Sequence, residues 1–183
     1  MKFIVLDRDG VINEDSGDFI KSTDEWEPIT GSLGAIGKLT ASGYRICIAT
    51  NQSGLARGLF DEFTLADIHQ KLCAAVEDCG GLIEGIFFCP HGPDEACGCR
   101  KPRTGLLTQI ERELSVSLEG QTFVGDSLTD LQAAQSFNMK AVLVRTGKGA
   151  ETETQLHELS DRNVEVYDCL ADFVSAETSF PHA

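Results

Sequence analysis

No apolar run in the chain approaches the roughly 20 residues that a membrane span needs, so no transmembrane helix is expected. The opening, MKFIVLDRDG, meets charge after four consecutive apolar residues, too short a stretch for the core of a signal peptide. Positive charge is also scarce: 15 Lys and Arg against 29 Asp and Glu leave a net charge of −14. A field of that sign repels phosphate backbones and anionic lipid, which argues against nucleic acid and membrane as partners. Only five prolines occur in 183 residues, and no Gly/Ser-rich tract, low-complexity stretch or internal repeat divides the chain. Residues 1–176 therefore read as a single domain and 177–183 as a frayed C-terminal tail. Seven cysteines are too many to ignore and odd in number, and the context is that of a reducing, cytoplasmic protein rather than a disulfide scaffold. No exposed apolar stripe stands out, so a monomer is the default.

What is present is a set of short apolar runs that end abruptly in polar residues. Phe3 to Leu6 stops at Asp7, and Ile46 to Ala49 stops at Thr50. Ile86 to Phe88, Thr122 to Val124, Ala141 to Val144 and Val164 to Tyr167 are similar. Such runs suit strands buried on both faces. Between them lie helical patterns: Leu33, Ile36 and Leu39 with Gly43 as a C-terminal cap, and Leu65, Ile68, Leu72 and Val76 starting near Thr64 and stopped by Gly80-Gly81. Leu107, Ile110 and Leu114 follow Thr104, and a further helix opens at Thr129 and runs through Phe137. This alternation predicts an α/β fold: an open parallel sheet with helices on both faces.

In such a sheet, ligands bind beyond the carboxyl ends of the strands. There the sequence places Asp7-Arg8-Asp9-Gly10, Thr50-Asn51-Gln52-Ser53 and Gly125-Asp126-Ser127. A lone Asp-x-Asp is weak and is usually a solvated turn, but three polar strand ends of this kind bring several carboxylates together. Crowded carboxylates repel unless a cation neutralises them, and hard oxygen donors suit Mg²⁺. Asp7, next to the strand end, is placed to be a nucleophile, with Asp9 in reach of the same group as proton donor and acceptor. Lys101, before Pro102, can offset aspartate and phosphoryl charge.

A second cluster, Cys89, His91, Cys97 and Cys99, falls within eleven residues. Three thiolates and an imidazole are the donor set of a closed, structural Zn²⁺ site. A disulfide or unrelated free thiols are the competing readings. A zinc loop here would hold the segment that ends in Arg100-Lys101. Cys47, Cys73, Cys79 and Cys169 read as small core residues. Trp26 reads as packing over a loop, with a place beside a sugar site as the alternative. His69 and His157 lie on helical patterns and His182 in the tail, and none is assigned a function.

The segments DRDGVIN, ATNQSG, CRKP and VGDSLTD resemble, in order and spacing from residue 3 to about 148, the four motifs of the haloacid dehalogenase (HAD) superfamily of phosphohydrolases. The resemblance implies a Rossmann-like HAD fold and an aspartyl-phosphate mechanism. In it Asp7 attacks phosphorus, Asp9 protonates the leaving oxygen and then activates water, and Thr50 and Lys101 hold phosphoryl oxygens. Mg²⁺ would lie on Asp7, the carbonyl of Asp9 and Asp126, with Asp130 supporting from further out. No insertion long enough for a separate cap domain lies between the motifs. The zinc loop joined to CRKP narrows the resemblance to capless phosphatases of heptose bisphosphates, with the histidinol-phosphate phosphatases as near relatives.

This resemblance implies a Mg²⁺-dependent phosphoric monoester hydrolase that takes a small sugar bisphosphate and releases its C7 phosphate, on the route to lipopolysaccharide core heptose. It places substrate contacts at Asp15, Ser16, Gly17, Asp18, Thr50, Asn51, Gln52, Ser53, Arg100, Lys101 and Ser127. Arg57, Arg103, Arg145 and Lys148 fall in loops near the strand ends, where each alone reads as a solvated charge. The alternatives are a histidinol-phosphate phosphatase and, in another class, an inert zinc-binding interaction module.

Overall fold

The computed structural model describes residues 2–159 and 163–179. Six parallel strands, β1 (Lys2–Leu6), β2 (Tyr44–Asn51), β3 (Gly85–Cys89), β4 (Thr122–Gly125), β5 (Lys140–Val144) and β6 (Glu165–Tyr167), form one sheet in the order β3-β2-β1-β4-β5-β6. Alternate residues of each strand enter opposite cores. Ile4 and Leu6 pack with Ile46, Ile48, Ile36, Leu39, Ile68 and Leu72 on one face, while Phe3 and Val5 pack with Cys47, Leu107, Ile110 and Leu131 on the other. Both strand faces are buried, which is why these runs read as continuous apolar segments rather than as alternation.

Helices α1 (Ser32–Ala41), α2 (Glu62–Asp78) and α6 (Leu170–Ser179) cover the first face; α3 (Gly105–Leu114) and α4 (Leu128–Ser136) cover the second. A short helix, α5 (Gly149–Glu153), and a 3₁₀ turn at Leu156–Glu158 link β5 towards β6. The sequence pattern finds four of these helices and misses α5 and α6. The tail expected from Glu177 is helical through Ser179, and the remainder of it, with His182, lies outside the described residues.

Two helix starts differ from expectation for the same reason, a capping side chain. The side chain of Asp61 accepts from the Thr64 backbone N–H at 2.8 Å, so α2 begins at Glu62 rather than at Thr64. Ser127 and Asp130 form a reciprocal capping box, so α4 begins at Leu128. Trp26 is buried in the first core at 2 % exposure, with the Lys71 ammonium over its ring, and does not line the cavity beyond the strand ends.

The strand order carries the functional consequence. From β1 the chain runs to β2 and β3 on one side, then returns to place β4 on the other side of β1. The crevice beyond the carboxyl ends of β1 and β4 is thus the switch point of the sheet. Asp7 follows β1 there, and Asp126 follows β4. Among the described residues no cap domain stands over it.

Candidate active site

Asp7 is fixed before any ligand arrives. Its backbone N–H donates to Val124 at 2.9 Å, and its Oδ1 accepts from the Arg8 backbone N–H at 2.7 Å and from Lys101 Nζ at 2.9 Å. Its Oδ2 carries no hydrogen bond among the described residues. Lys101 is 3 % exposed and sits between Asp7 and Asp130 Oδ1, 2.6 Å away, while its third proton goes to the Ala49 carbonyl at 2.7 Å. Burial alone would depress this ammonium, but the carboxylates of Asp130 and Asp7 outweigh it and push its pKa to about 12. The lysine stays charged at any working pH.

The carboxylates of Asp7, Asp126 and Asp130 lie within 4.8 Å of one another. Burial, followed by the repulsion of Asp130, raises Asp7 to about 7; burial and then Asp130 and Asp7 raise Asp126 to about 8. The surroundings of Asp126 are as tight as those of Asp7. Gly10 (φ +79°) and Gly147 (φ +58°) press their α-carbons beside its carboxylate, and any side chain at either position would run into it. Both also hold a left-handed backbone that favours glycine. The Lys148 backbone N–H donates to Asp126 Oδ2 at 2.8 Å. A buried oxygen-donor set that repels itself fits a hard divalent cation such as Mg²⁺.

Asp9 is treated differently. Its carboxyl turns away from that group and is held by Arg8 Nε and Nη2 (2.9–3.0 Å), Asn13 Nδ2 (2.9 Å) and Gln52 Nε2 (2.8 Å). Burial would raise its pKa, yet the Arg8 charge and these donors hold it below the ordinary range. The resemblance assigns only the backbone carbonyl of Asp9 to the cation, and the side chain is not part of the carboxylate group.

A cavity of about 440 Å³ opens over these groups. Asp7, Asp9, Thr50, Lys101 and Asp126 line its floor, and Asp15, Ser16, Gly17, Asn51, Gln52, Ser53, Arg100 and Ser127 line its walls. Asp18 is the exception: it is exposed and lines no part of the cavity. Phe19, the next residue, lines it instead, with a positive φ of 65° and the Arg57 guanidinium over its ring at 5.6 Å. Ile20, Thr129, Asp130 and Lys148 also line the wall, and Lys148 Nζ pairs with Asp15 Oδ2 at 2.9 Å. Arg145 is spent on Glu153 and Asp168, and Arg103 on the Cys97 carbonyl. A positive φ at Phe19 has no signature in a single sequence.

Asn51 has a double task. Its side-chain oxygen accepts from the Lys101 N–H at 3.1 Å and its amide donates to the Lys101 carbonyl at 3.2 Å. The end of β2 therefore clamps the peptide that carries the lysine.

The four side chains of the cysteine–histidine cluster converge. Cys89 Sγ lies 3.2 Å from Cys99 Sγ and 3.8 Å from Cys97 Sγ, and His91 Nδ1 lies 3.3 Å from Cys99 Sγ. None of the cysteines is in a disulfide among the described residues, which removes that reading. Four donors around one point fit tetrahedral Zn²⁺, whose Zn–S bonds of about 2.3 Å place sulfurs close to these separations. Desolvation pushes the Cys89 thiol up to about 12. Desolvation acts on Cys97 too, but the backbone N–H groups of Arg100 and Cys99 outweigh it and bring that thiol down to about 7. The loop is tied to Arg100 by its Nη1, which donates to the His91 carbonyl at 3.2 Å.

Known proteins are similar to this chain in sequence and fold. A family profile described as HAD-hydrolase-like matches residues 98–173. A D-glycero-beta-D-manno-heptose-1,7-bisphosphate 7-phosphatase of Bordetella bronchiseptica is 53 % identical over 155 residues, covering 85 % of this chain and 87 % of its own. One of Neisseria meningitidis is 45 % identical over the whole of both chains. The crystal structure of the D,D-heptose 1,7-bisphosphate phosphatase from B. bronchiseptica, complexed with magnesium and phosphate, superposes with a TM-score of 0.91 at 48 % identity, covering 97 % of this chain and 98 % of that one. With identity this high over nearly its full length, and with the HAD motifs meeting at one switch point, the chain belongs to the D-glycero-beta-D-manno-heptose-1,7-bisphosphate 7-phosphatase family of HAD-like hydrolases.

Proposed function

We propose that the protein hydrolyses the C7 phosphate of D-glycero-D-manno-heptose 1,7-bisphosphate through an aspartyl-phosphate on Asp7. The observation that carries this reading is Lys101 bridging Asp7 and Asp130 at the cavity floor, with Asp126 beside them and Asp9 held apart. Asp7, Asp9 and Asp126 would hold Mg²⁺, which supplies charge neutralisation for the phosphoryl oxygens. Lys101 and Arg8 hold Oδ1 of Asp7, so the remaining oxygen is the one presented to phosphorus. In the first step an Asp7 oxygen bonds to phosphorus as the sugar oxygen leaves, and that oxygen takes its proton from Asp9, which takes one up as the phosphoryl charge arrives beside it. In the second, Asp9 removes a proton from water, the hydroxide attacks phosphorus, and the P–O bond to Asp7 breaks to release phosphate. Thr50 and the fixed charge of Lys101 would stabilise the phosphoryl oxygens between the two steps.

The bisphosphate reaches past the floor. Asp15, Ser16 and Gly17 would contribute on one side of the sugar, and Asn51, Gln52, Ser53, Arg100 and Ser127 around it. Arg100, whose guanidinium can bind a phosphate bidentately, is assigned to the distant part of the substrate. Zn²⁺ on Cys89, His91, Cys97 and Cys99 would be structural, because four protein donors leave no open position. On this reading residues 1–176 act as one domain and the chain works as a cytoplasmic monomer in the supply of lipopolysaccharide core heptose. No described helix is long and apolar enough to cross a membrane.

Turnover of the heptose bisphosphate and of histidinol phosphate, each with and without Mg²⁺, tests the proposal. Preference for the bisphosphate with an absolute need for the cation is expected. Preference for histidinol phosphate would move the chain to that activity, and no turnover of either would leave an inert zinc module.

A further inference from the structure

The most deeply buried charge outside the carboxylate–lysine centre is Arg8, at 1 % exposure the largest fully buried side chain among the described residues. Its Nε and Nη2 are used on Asp9, as described above. Its Nη1 lies 3.2 Å from Nε2 of His69, on α2. A guanidinium has only N–H groups to offer, so Nε2 is the acceptor, and the imidazole is neutral with its proton on Nδ1. The ring is steadied by an edge-on contact with Phe88, with centroids 6.0 Å apart at 61°. We propose that His69 is a positioning residue for the reaction, holding Arg8 from behind so that Arg8 in turn fixes the carboxyl of Asp9. This inference rests on the acid–base role given to Asp9 above.

The physical reason is an accounting of donors. Arg8 carries its charge into the interior, where each N–H needs an acceptor. Asp9 takes those on one edge of the guanidinium, and the His69 ring nitrogen takes one on the other. Without it a buried donor is left unmade, and the guanidinium must turn to find another acceptor, which rotates Asp9 with it. Burial and the Arg8 charge together hold the His69 pKa down to about 3, so the ring remains an acceptor over the whole working range. A histidine that merely filled space on α2 would have no need to aim its acceptor at that guanidinium.

The test reads the leaving group. The ratio kcat/KM covers steps through departure of the leaving oxygen, and so reports Asp9 as an acid and not as a base. A sugar oxygen needs that proton, whereas p-nitrophenolate leaves without it. His69→Leu is expected to lose roughly tenfold in kcat/KM on the heptose bisphosphate but less than about twofold on p-nitrophenyl phosphate, since small misplacements at a reacting centre are costly. His69→Gln, whose side-chain oxygen can accept from Arg8, is expected to recover most of the loss. His69→Ala is measured alongside, so that one variant failing to fold does not end the test. Equal losses on both substrates, no loss on either, or no recovery in the glutamine variant would overturn the proposal. Asp9→Asn is run in parallel and must show the same discrimination between substrates. If it does and the His69 variants do not, positioning through Arg8 falls alone; if it does not, the acid role falls and this inference with it.

Discussion

Two clusters of metal-compatible side chains occupy the same edge of the sheet, and they are assembled in opposite ways. The cysteine–histidine knot draws all four donors from residues 89–99. The carboxylate group draws Asp7 from the end of β1, and Asp126 and Asp130 from the end of β4 and the first turn of α4. One is soft, partly exposed and local; the other is hard, buried and made by the crossing of the chain. The consequence is a division of labour. Three of the knot's donors sit in one loop and the fourth, Cys89, ends β3, whereas the carboxylate site exists only because two strands far apart in sequence lie side by side. Between them runs Arg100-Lys101, tied to the knot through the His91 carbonyl and to the sheet through Asn51.

That comparison can be broken at either end. Asp7→Asn should have the largest effect, lowering phosphate release by at least about 10⁴-fold, as loss of a catalytic nucleophile does elsewhere. Its thermal midpoint should hold or rise, because the variant removes a carboxylate that burial and Asp130 already disfavour as an anion. Residual activity within tenfold of the parent in a rigorously purified sample would exclude the covalent mechanism. Cys97→Ser attacks the other cluster. It should lose one zinc per chain by elemental analysis and roughly 10–100-fold in turnover, although the thiol touches no substrate, and here the thermal midpoint should fall. Dialysis against a chelator of moderate strength should remove the Mg²⁺ requirement's ion while leaving the zinc in place, which separates the two sites in one sample.

Arg100→Ala sharpens the boundary between them. Loss of a charge-assisted contact of about 1.5–3 kcal/mol predicts a drop of one to two powers of ten in kcat/KM on the bisphosphate. A simple monophosphate ester should be much less affected. Equal losses on both would place Arg100 in the phosphoryl-transfer machinery.

The smallest effect is on stability against pH. Burial and Arg8 depress His69 from 6.5 to about 3 in the folded chain. Below 6.5 the unfolded chain therefore binds a proton that the folded chain refuses, and stability falls as pH drops through that range. At pH 5.5 this amounts to about 1.2 kcal/mol relative to pH 7. In urea melts, His69→Gln should flatten that slope between pH 7 and 5.5; an unchanged slope would show that His69 is not held neutral.

Much of the fold was legible because buried parallel strands are read from apolar runs that end in polar residues. β1, β2, β4 and β5 announce themselves in this way, whereas β3 runs on into Cys89-Pro90 and β6 carries Glu165 within it. The helix α6 escaped because Leu170, Phe173 and Val174 make a short apolar face near a terminus expected to fray. The starts of α2 and α4 were misplaced because Asp61 and Ser127 only declare themselves as caps once their side chains meet backbone N–H groups. In the site, Phe19 could not be found from the sequence, since nothing in a single chain marks a left-handed aromatic at a cavity wall. Asp18, its neighbour, was the natural expectation and is turned to solvent.

The knot was therefore written into the chain, because donors spaced two, six and two residues apart can close on one ion without help from the rest of the molecule. Asp7, Asp9 and Lys101 were likewise marked by type and position at strand ends. Their meeting was not. It took the return of the chain across β1 to set β4 beside it, which brought Asp126 and Asp130 to Lys101 and crowded the carboxylates enough to shift their proton affinity. The same packing carried α2 over β1, so that a histidine with no apparent task in the sequence came to rest against the buried arginine behind Asp9. Such contacts join residues 61 positions apart, and no local pattern encodes them, because what selects them is the need of a buried charge for a partner on every side.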